Sequence, residues 1–122
     1  MDKEDLKKRL KKFALRVMNL ADKMPKSLSG MAIAKQIVRS GTSPYANYCA
    51  SCLAKSDKDF INKLKMVEEE LDETLHWMEL IQEGELVKAE LLVDLYNENL
   101  ELLKIIVSSI VTTKNKINRI IN

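Results

Sequence analysis

The sequence predicts an all-α protein, an antiparallel up-down-up-down, left-handed four-helix bundle. The composition is that of long helices, with 46% hydrophobic and 31% charged residues but only three glycines and two prolines among 122 residues. Four segments place apolar residues at spacings of four and three, which puts them on one face of a helix. The breaks between these segments are short, and short turns join antiparallel neighbours. We expect one domain over residues 1–122, with helices at about 3–24, 30–54, 57–83 and 86–119.

The first segment ends clearly, whereas the second contains an ambiguity. An apolar stripe runs along the first helix until Pro25 stops it; its members are Leu6, Leu10, Phe13, Val17, Leu20 and Met24. The second helix is expected to begin near Ser29 as N-cap. Its stripe continues through Pro44, although proline costs a helix interior about 3 kcal/mol; the stripe comprises Ala34, Val38, Gly41, Tyr45, Tyr48 and Cys52. We therefore favour one continuous helix that Pro44 kinks, with a break at Pro44 as the alternative.

The third segment has a clear start, and the fourth keeps its spacing over the longest stretch. Ser56 followed by Asp59 resembles a capping box and predicts where the third helix begins, and Gly84 is a natural residue to end it. Its stripe comprises Phe60, Leu64, Val67, Leu71, Leu75 and Met78. The fourth stripe keeps the spacing over four heptads, through Leu92, Tyr96, Asn99, Leu103, Ile106, Ile110, Thr113, Ile117 and Ile120. Sustained 3.5-residue spacing predicts left-handed, nearly parallel packing.

The third and fourth helices carry more apolar surface than one bundle face requires. Residues 100–111 are apolar almost all round the fourth helix. The apolar residues outside the two stripes include Trp77, Leu80 and Ile81 on the third helix and Leu102, Ile105 and Val107 on the fourth. A helix that is apolar on every side must be buried on every side. The surplus predicts a homo-oligomer with contacts through these residues. The alternative is a wider core stripe whose edges are covered by lysine and glutamate stems.

Charge is strongly segregated along the chain. Residues 67–101 contain twelve Asp/Glu and one Lys, whereas residues 1–30 contain nine Lys/Arg and four Asp/Glu, although the whole chain has a net charge of +2. Basic residues lie opposite the stripe of the first helix and near the C-terminus: Lys8, Arg9, Lys11, Lys12, Arg16, Lys114, Lys116 and Arg119. Such a face predicts binding of nucleic-acid phosphates through counterion release. A solvated helix face with complementation of the helix dipole is the alternative.

The chain offers little for catalysis or for binding a metal. Cys49 and Cys52 have C-x-x-C spacing, but His76 is the only histidine, so a four-ligand zinc site lacks ligands and we expect small buried helix residues. Glu73 and His76 match the Glu-x-x-His pattern that one helix contributes to a di-iron site, but such a site needs a second copy and two further carboxylates, and the chain has no second histidine. We expect no metal, no cofactor and no enzymatic activity. Without a targeting segment or an apolar run of membrane length, we expect a cytoplasmic protein with no membrane partner.

An ordered series of motifs resembles a known family. Over roughly residues 10 to 85 the chain is similar to the bacterial four helix bundle protein family, also called the intervening-sequence protein of large-subunit ribosomal RNA genes. The motifs are Arg39-Ser40-Gly41-Thr42-Ser43-Pro44-Tyr45-Ala46-Asn47-Tyr48, Ala54-Lys55-Ser56, Asp59-Phe60-Ile61, Lys63-Leu64, Glu69-Glu70, Glu73-Thr74 and Trp77. The fourth helix resembles that of the family only in its general character.

The resemblance implies a helical bundle that assembles as a homopentamer. It also implies kinship with the accessory variability determinant of diversity-generating retroelements, a basic pentameric barrel that binds nucleic acid and a reverse transcriptase. The acidic third helix departs from a uniformly basic barrel. The resemblance places residues 40–43 inside the second helix, and we expect Ser40 and Asn47 to hydrogen-bond across to the third helix near Glu73. Structural roles are then implied for five motif residues, Arg39, Ser40, Gly41, Asn47 and Glu73.

Two functions are compatible with these features. The first is a non-enzymatic homo-oligomeric bundle that binds RNA or DNA backbones through the first helix and the C-terminus. It would be accessory to an rRNA intervening sequence or to a reverse transcriptase. The alternative is a protein-interaction scaffold with no direct nucleic-acid binding, whose partner contacts the acidic third helix or the basic rim.

Overall fold

Four α-helices follow one another along the chain. The computed structural model describes residues 1–121, and no strand occurs in that range. Helix α1 spans Lys3–Asp22, α2 spans Leu28–Ser51, α3 spans Asp57–Glu83 and α4 spans Val93–Ile121. Each helix packs on the next, and α4 returns beside α1 to complete a four-helix bundle. The predicted all-α four-helix fold is confirmed, while the hand of its supercoil stays a prediction.

Side-chain caps fix where the first three helices begin. Asp2 and Asp5 form a capping box, in which each carboxylate accepts a hydrogen bond from the other residue's backbone N–H. Ser56 Oγ accepts a hydrogen bond from the Asp59 N–H at 3.1 Å, as the sequence predicts. The cap of α2 is Ser27 rather than Ser29, because the Gly30 N–H donates to Ser27 Oγ at 3.1 Å. The expected N-cap at Ser29 was therefore wrong by two residues.

Helix α2 continues without a break through Pro44, so the alternative of a break is excluded. Pro44 lies on the buried face of the helix, where the loss of one backbone hydrogen bond is offset by packing. That buried face is displaced slightly round the helix from the predicted stripe. Its buried members are Gly30, Ile37, Ser40, Gly41, Pro44, Tyr48 and Ser51. Ala34, Val38, Tyr45 and Cys52 lie half-buried at its edge.

The turn between α3 and α4 is longer than the sequence predicts. After Gly84, Glu85 adopts a left-handed φ of 53°. The Leu86 N–H then donates to the Ile81 carbonyl at 3.0 Å and the Glu85 N–H to the Gln82 carbonyl at 3.1 Å, which is a Schellman motif. A 3-10 helix follows over Ala89–Leu91. Helix α4 therefore begins at Val93 rather than Leu86, because this motif turns the chain away before a new helix starts.

The core lies between the four helices and is mainly aliphatic. The predicted stripes of α1 and α3 supply much of it, with Phe13 the largest fully buried side chain. From α4 the buried residues are Leu95, Asn99, Leu102, Ile106 and Ile110. Asn99 is a polar residue in this mainly aliphatic core, and its side-chain amide is buried without a hydrogen-bond partner in the described residues. The core holds the helices rigidly, so each outer face presents a fixed set of side chains.

Candidate nucleic-acid interface

Three basic side chains form a line along α1 on the side of α4. Lys8, Lys12 and Arg16 are spaced by four residues, and each such step advances about 40° round a helix, so the three lie in one gently turning row. Lys8 and Lys12 are exposed, and Arg16 is half-buried where it lines a groove with Leu91 and Leu95 beside the start of α4. We call Lys8, Lys12 and Arg16 the α4-side row.

The charge of the α4-side row is not neutralised by ion pairs within the described residues. None of the three side chains forms an ion pair with a carboxylate of residues 1–120. Both exposed lysines therefore carry a positive charge that is available to a ligand. The row is the part of the predicted basic surface best suited to meet a run of phosphates.

Arg9 belongs to the bundle rather than to that surface. Its Nε and Nη2 atoms donate to the two carboxylate oxygens of Glu98 on α4, both at 2.8 Å, and Nη2 lies 3.8 Å from Glu101 Oε1. This two-pronged pair raises the pKa of the Arg9 guanidinium, chiefly through the hydrogen bonds that Arg9 donates to Glu98. The prediction that Arg9 binds nucleic acid does not fit this geometry, because Arg9 ties α1 to α4 and its charge is already balanced.

Lys11 lies next to Lys8 on α1, displaced about 60° toward the side of α2. It shares that flank with two exposed apolar residues, Leu15 at 56% exposure and Met18 at 45%. Their spacings of four and three keep all three residues close together on the helix. We call Lys11, Leu15 and Met18 the α2-side row. The centre of this row lies roughly 90° round α1 from the centre of the α4-side row, but Leu15, seven residues after Lys8, points within about 20° of it, so the two rows adjoin at Lys8.

The C-terminal basic residues lie at the end of the bundle where α1 begins. Residues 105–113 of α4 line a groove with residues 1–6, which places the C-terminal part of α4 beside the start of α1. Lys114 and Arg119 are exposed there. Lys116 Nζ lies 3.5 Å from Asp57 Oδ2 of α3, so its charge is partly balanced. Of the three predicted residues, Lys114 and Arg119 retain unpaired charge within the described part of the chain.

The Arg39 motif connects α2 to α3 through a polar network. The Arg39 guanidinium donates to Glu70 Oε2 at 3.1 Å and also to the Glu73 carboxylate. Glu73 in turn accepts a hydrogen bond from Trp77 Nε1 at 2.9 Å. Because half of the Arg39 side chain is exposed, screening by water limits what this network adds to stability. Its geometry fixes how the two helices pair.

Ser40, Gly41 and Asn47 lie on different sides of α2. Ser40 is fully buried, and its hydroxyl is hydrogen-bonded at 2.8 Å to that of Thr74 on α3, so the expected contact across to the third helix forms. Gly41 faces α1 instead. Asn47 Nδ2 donates to Ser43 Oγ at 2.8 Å within α2, so the expected bond from Asn47 to the third helix was wrong. Residues four positions apart on a helix have Cβ atoms only about 5–6 Å apart, which lets Asn47 reach Ser43 within α2.

The predicted oligomer residues separate into core and surface. Ile81 and Leu102 are fully buried inside the single chain, so they cannot contribute to a subunit contact. Trp77 and Ile105 are half-buried, while Leu80 is half exposed and Val107 is 40% exposed. The sequence misplaces Ile81 and Leu102 because the buried faces of α3 and α4 are wider than a seam of alternating fours and threes.

A groove that sequence reasoning missed lies on the outer side of α3 and α4. It has a volume of about 410 Å³, and it is lined by Lys65, Glu68, Glu69, Asp72, Leu103 and Val107. The apolar side chains come from α4, and the three carboxylates and one lysine come from α3. We call it the acidic groove. The excess of negative charge over residues 67–101 was visible in the sequence, but the pairing of these residues across two helices was not.

The described residues contain no cluster of three or more metal-ligating side chains. Cys49 and Cys52 are free and half-buried, whereas the sequence predicted buried helix residues. Within residues 1–121 no helix is both long enough and apolar enough to cross a bilayer.

The helical pairing, the single core and the motif contacts define this protein as a four-helix-bundle protein. Its sequence identifies the family further. The chain belongs to the 23S rRNA-intervening sequence protein family, whose sequence model matches residues 3–108.

One solved structure is similar along nearly its whole length. It is a protein of unknown function from the S23 ribosomal protein family of Bacteroides thetaiotaomicron VPI-5482, with 34% identity and a TM-score of 0.83. The match covers 90% of this chain and 98% of that one. A comparison with curated proteins gives no significant match. The suggested family resemblance is therefore confirmed.

Proposed function

We propose that this protein is a non-enzymatic, homo-oligomeric helical bundle that binds the phosphate backbone of nucleic acid through the α4-side row. The observation that carries this proposal is the free charge of Lys8 and Lys12, which have no carboxylate partner among the described residues. Lys114 and Arg119 add positive charge at the end of the bundle where α1 begins. Structured RNA is the ligand we favour, because the name of the family refers to an intervening sequence of 23S rRNA.

Binding of this kind would depend on charge rather than on base sequence. Phosphate contacts release condensed counterions, and this release supplies most of the free energy of non-specific binding. The α4-side row carries no aromatic side chain on which a base could stack. We therefore expect similar affinities for structured RNAs of different sequence.

Assembly would strengthen binding, because several copies would present several rows to one RNA. Once one site has bound the RNA, binding at a second site of the same assembly is intramolecular, and this raises the overall affinity without strengthening either single contact. The exposed apolar residues of α4 favour assembly. Val107 is 40% exposed and Val111 is 51% exposed, one turn apart on the same side of the helix.

A protein-interaction scaffold is the second candidate, and the acidic groove favours it. A groove with an apolar floor and a carboxylate wall suits a basic amphipathic helix. The two candidates use different surfaces, so substitutions separate them.

The test is fluorescence anisotropy with a labelled structured RNA at low salt. A triple variant, K8A/K12A/R16A, should lose at least about tenfold in affinity, because three phosphate contacts are removed. The matched control K26A/K35A/K58A removes the same charge from exposed sites on other elements and should lose much less. Equal losses in the two variants would show that net charge alone matters and would contradict the proposal, as would the absence of binding by the wild type.

A further inference from the structure

The acidic groove has features of a helix-docking site. Leu103 and Val107 of α4 provide its apolar floor, and Glu68, Glu69 and Asp72 of α3 provide negative charge along one wall. Only Lys65 opposes that charge within the groove. Beyond Val107, the 51%-exposed Val111 extends the apolar surface by one turn. An occupant must therefore supply apolar side chains flanked by positive charge.

The same chain carries such a helix face on the other side of the bundle. The α2-side row combines the positive charge of Lys11 with the exposed side chains of Leu15 and Met18. Leu15 and Met18 are about 4.5 Å apart along the axis of α1, and Leu103 and Val107 are about 6 Å apart along α4, from the rise of 1.5 Å per residue. Two apolar side chains on each partner can therefore meet, with Lys11 beside the carboxylates.

We propose that the α2-side row of one copy docks into the acidic groove of a second copy. Charge complementarity selects this occupant, because residues 67–101 have a net charge of −11 while residues 1–30 have a net charge of +5. Two grooves facing each other would bring six carboxylates together, which like-charge repulsion opposes. The contact is head-to-tail, so each copy in the assembly uses its row on one neighbour and its groove on the other.

This inference rests on the assembly part of the proposed function and specifies the two surfaces that meet. It leaves nucleic-acid binding possible in the assembly. Lys12 and Arg16 point about 60° and 100° round α1 from Leu15, so docking of the α2-side row leaves these two residues outside the contact, with Lys8 at its edge. Lys12 and Arg16 would then be repeated once per copy around the assembly.

Two charge-reversal variants test the docking directly by mass measurement with light scattering. The groove variant is E69K/D72K, and the row variant is K11E/L15E. The wild type should run as a multiple of 14.0 kDa, and each variant alone should run at the mass of one chain. Mixing the two variants should restore association, because the mixture contains both the original row-and-groove pair and its charge-reversed counterpart.

Matched controls and separate readouts keep the outcomes distinct. K35E, and separately E83K/E90K, change exposed charges outside both surfaces and should leave the mass unchanged. Helical circular dichroism of every variant verifies folding. Association of the row variant alone would overturn the proposal, since the groove would then hold a different occupant. A wild type at 14.0 kDa, or no recovery on mixing, would also overturn it. The anisotropy assay with K8A/K12A/R16A fails or succeeds independently of these masses.

Discussion

Gly41 of α2 lies directly against Val17 of α1. A β-carbon on residue 41 would stand 2.6 Å from Val17 Cγ1, 2.9 Å from Cγ2 and 3.0 Å from Cβ. Because all three Val17 atoms are this close, no rotation of the valine side chain relieves the clash. The glycine of the Ser-Gly-Thr-Ser motif is thus required by the close approach of two helices rather than by a turn.

Replacing Gly41 with alanine should destabilise the bundle. Alanine favours a helix by about 1 kcal/mol over glycine, but overpacking a fully buried site costs about 1–3 kcal/mol. We expect a net loss in the free energy of unfolding, measured by urea denaturation. The double variant V17A/G41A should lose less than the sum of the two single variants, because V17A removes both Cγ atoms. A G41A protein as stable as the wild type would contradict the close packing.

The buried amide of Asn99 should lower stability. Its Oδ1 and Nδ2 atoms are buried without a hydrogen-bond partner in the described residues. An unsatisfied buried polar group costs about 1–3 kcal/mol. The variant N99L, which has the same branched shape and no polar atoms, should therefore raise the free energy of unfolding by up to about that amount, because its larger methyl groups offset part of the gain. A destabilised N99L protein would mean that the amide is satisfied in solution.

Tyr48 should make the stability depend on alkaline pH. Burial raises the pKa of its hydroxyl well above the ordinary value of 10.0. Since the folded state holds the neutral form, the stabilisation is fully present below pH 10 and is lost as the pH rises further. Unfolding of Y48F should therefore be less sensitive to pH between about 10 and 11, relative to the wild type. Parallel curves for the two proteins would contradict this account.

The left-handed residue after α3 is a site for stabilisation. Glu85 has a φ of 53°, a conformation that costs a non-glycine residue about 1 kcal/mol or more. E85G should raise the midpoint of thermal unfolding. The corresponding gain in the free energy of unfolding should be up to about 1 kcal/mol, because glycine relieves the strain but also gives the unfolded chain more conformational freedom. The control E85A removes the charge but keeps the β-carbon, so it should show no such gain. Equal effects of E85G and E85A would indicate a role of charge instead.

Periodicity predicted the fold well because it records burial along each helix. The stripes of α1 and α3 lie in the core, and the hydroxyl of Ser56 caps α3, since both depend on local spacing. The continuity of α2 through Pro44 was also readable from the spacing. The boundary before Val93 was not, because a Schellman motif with Glu85 in place of glycine leaves no compositional signal.

The surface residues were predicted less well, because their roles depend on distant partners. Arg9 and Glu98 are 89 residues apart, and nothing in the spacing of either marks them as a pair. Ile81 and Leu102 resembled surplus apolar surface until the width of the core was known. The acidic groove required α3 and α4 to be placed side by side before its lining could be identified.

The salt dependence of RNA affinity tests the central claim most directly. For the wild type, the logarithm of the association constant should fall linearly with the logarithm of salt concentration, by about 0.7–0.9 per phosphate contacted. The variant K8Q/K12Q removes two contacts, so its slope should be shallower by about 1.4–1.8. An affinity that does not change with salt, or an identical slope for the two proteins, would contradict binding of phosphates by the α4-side row.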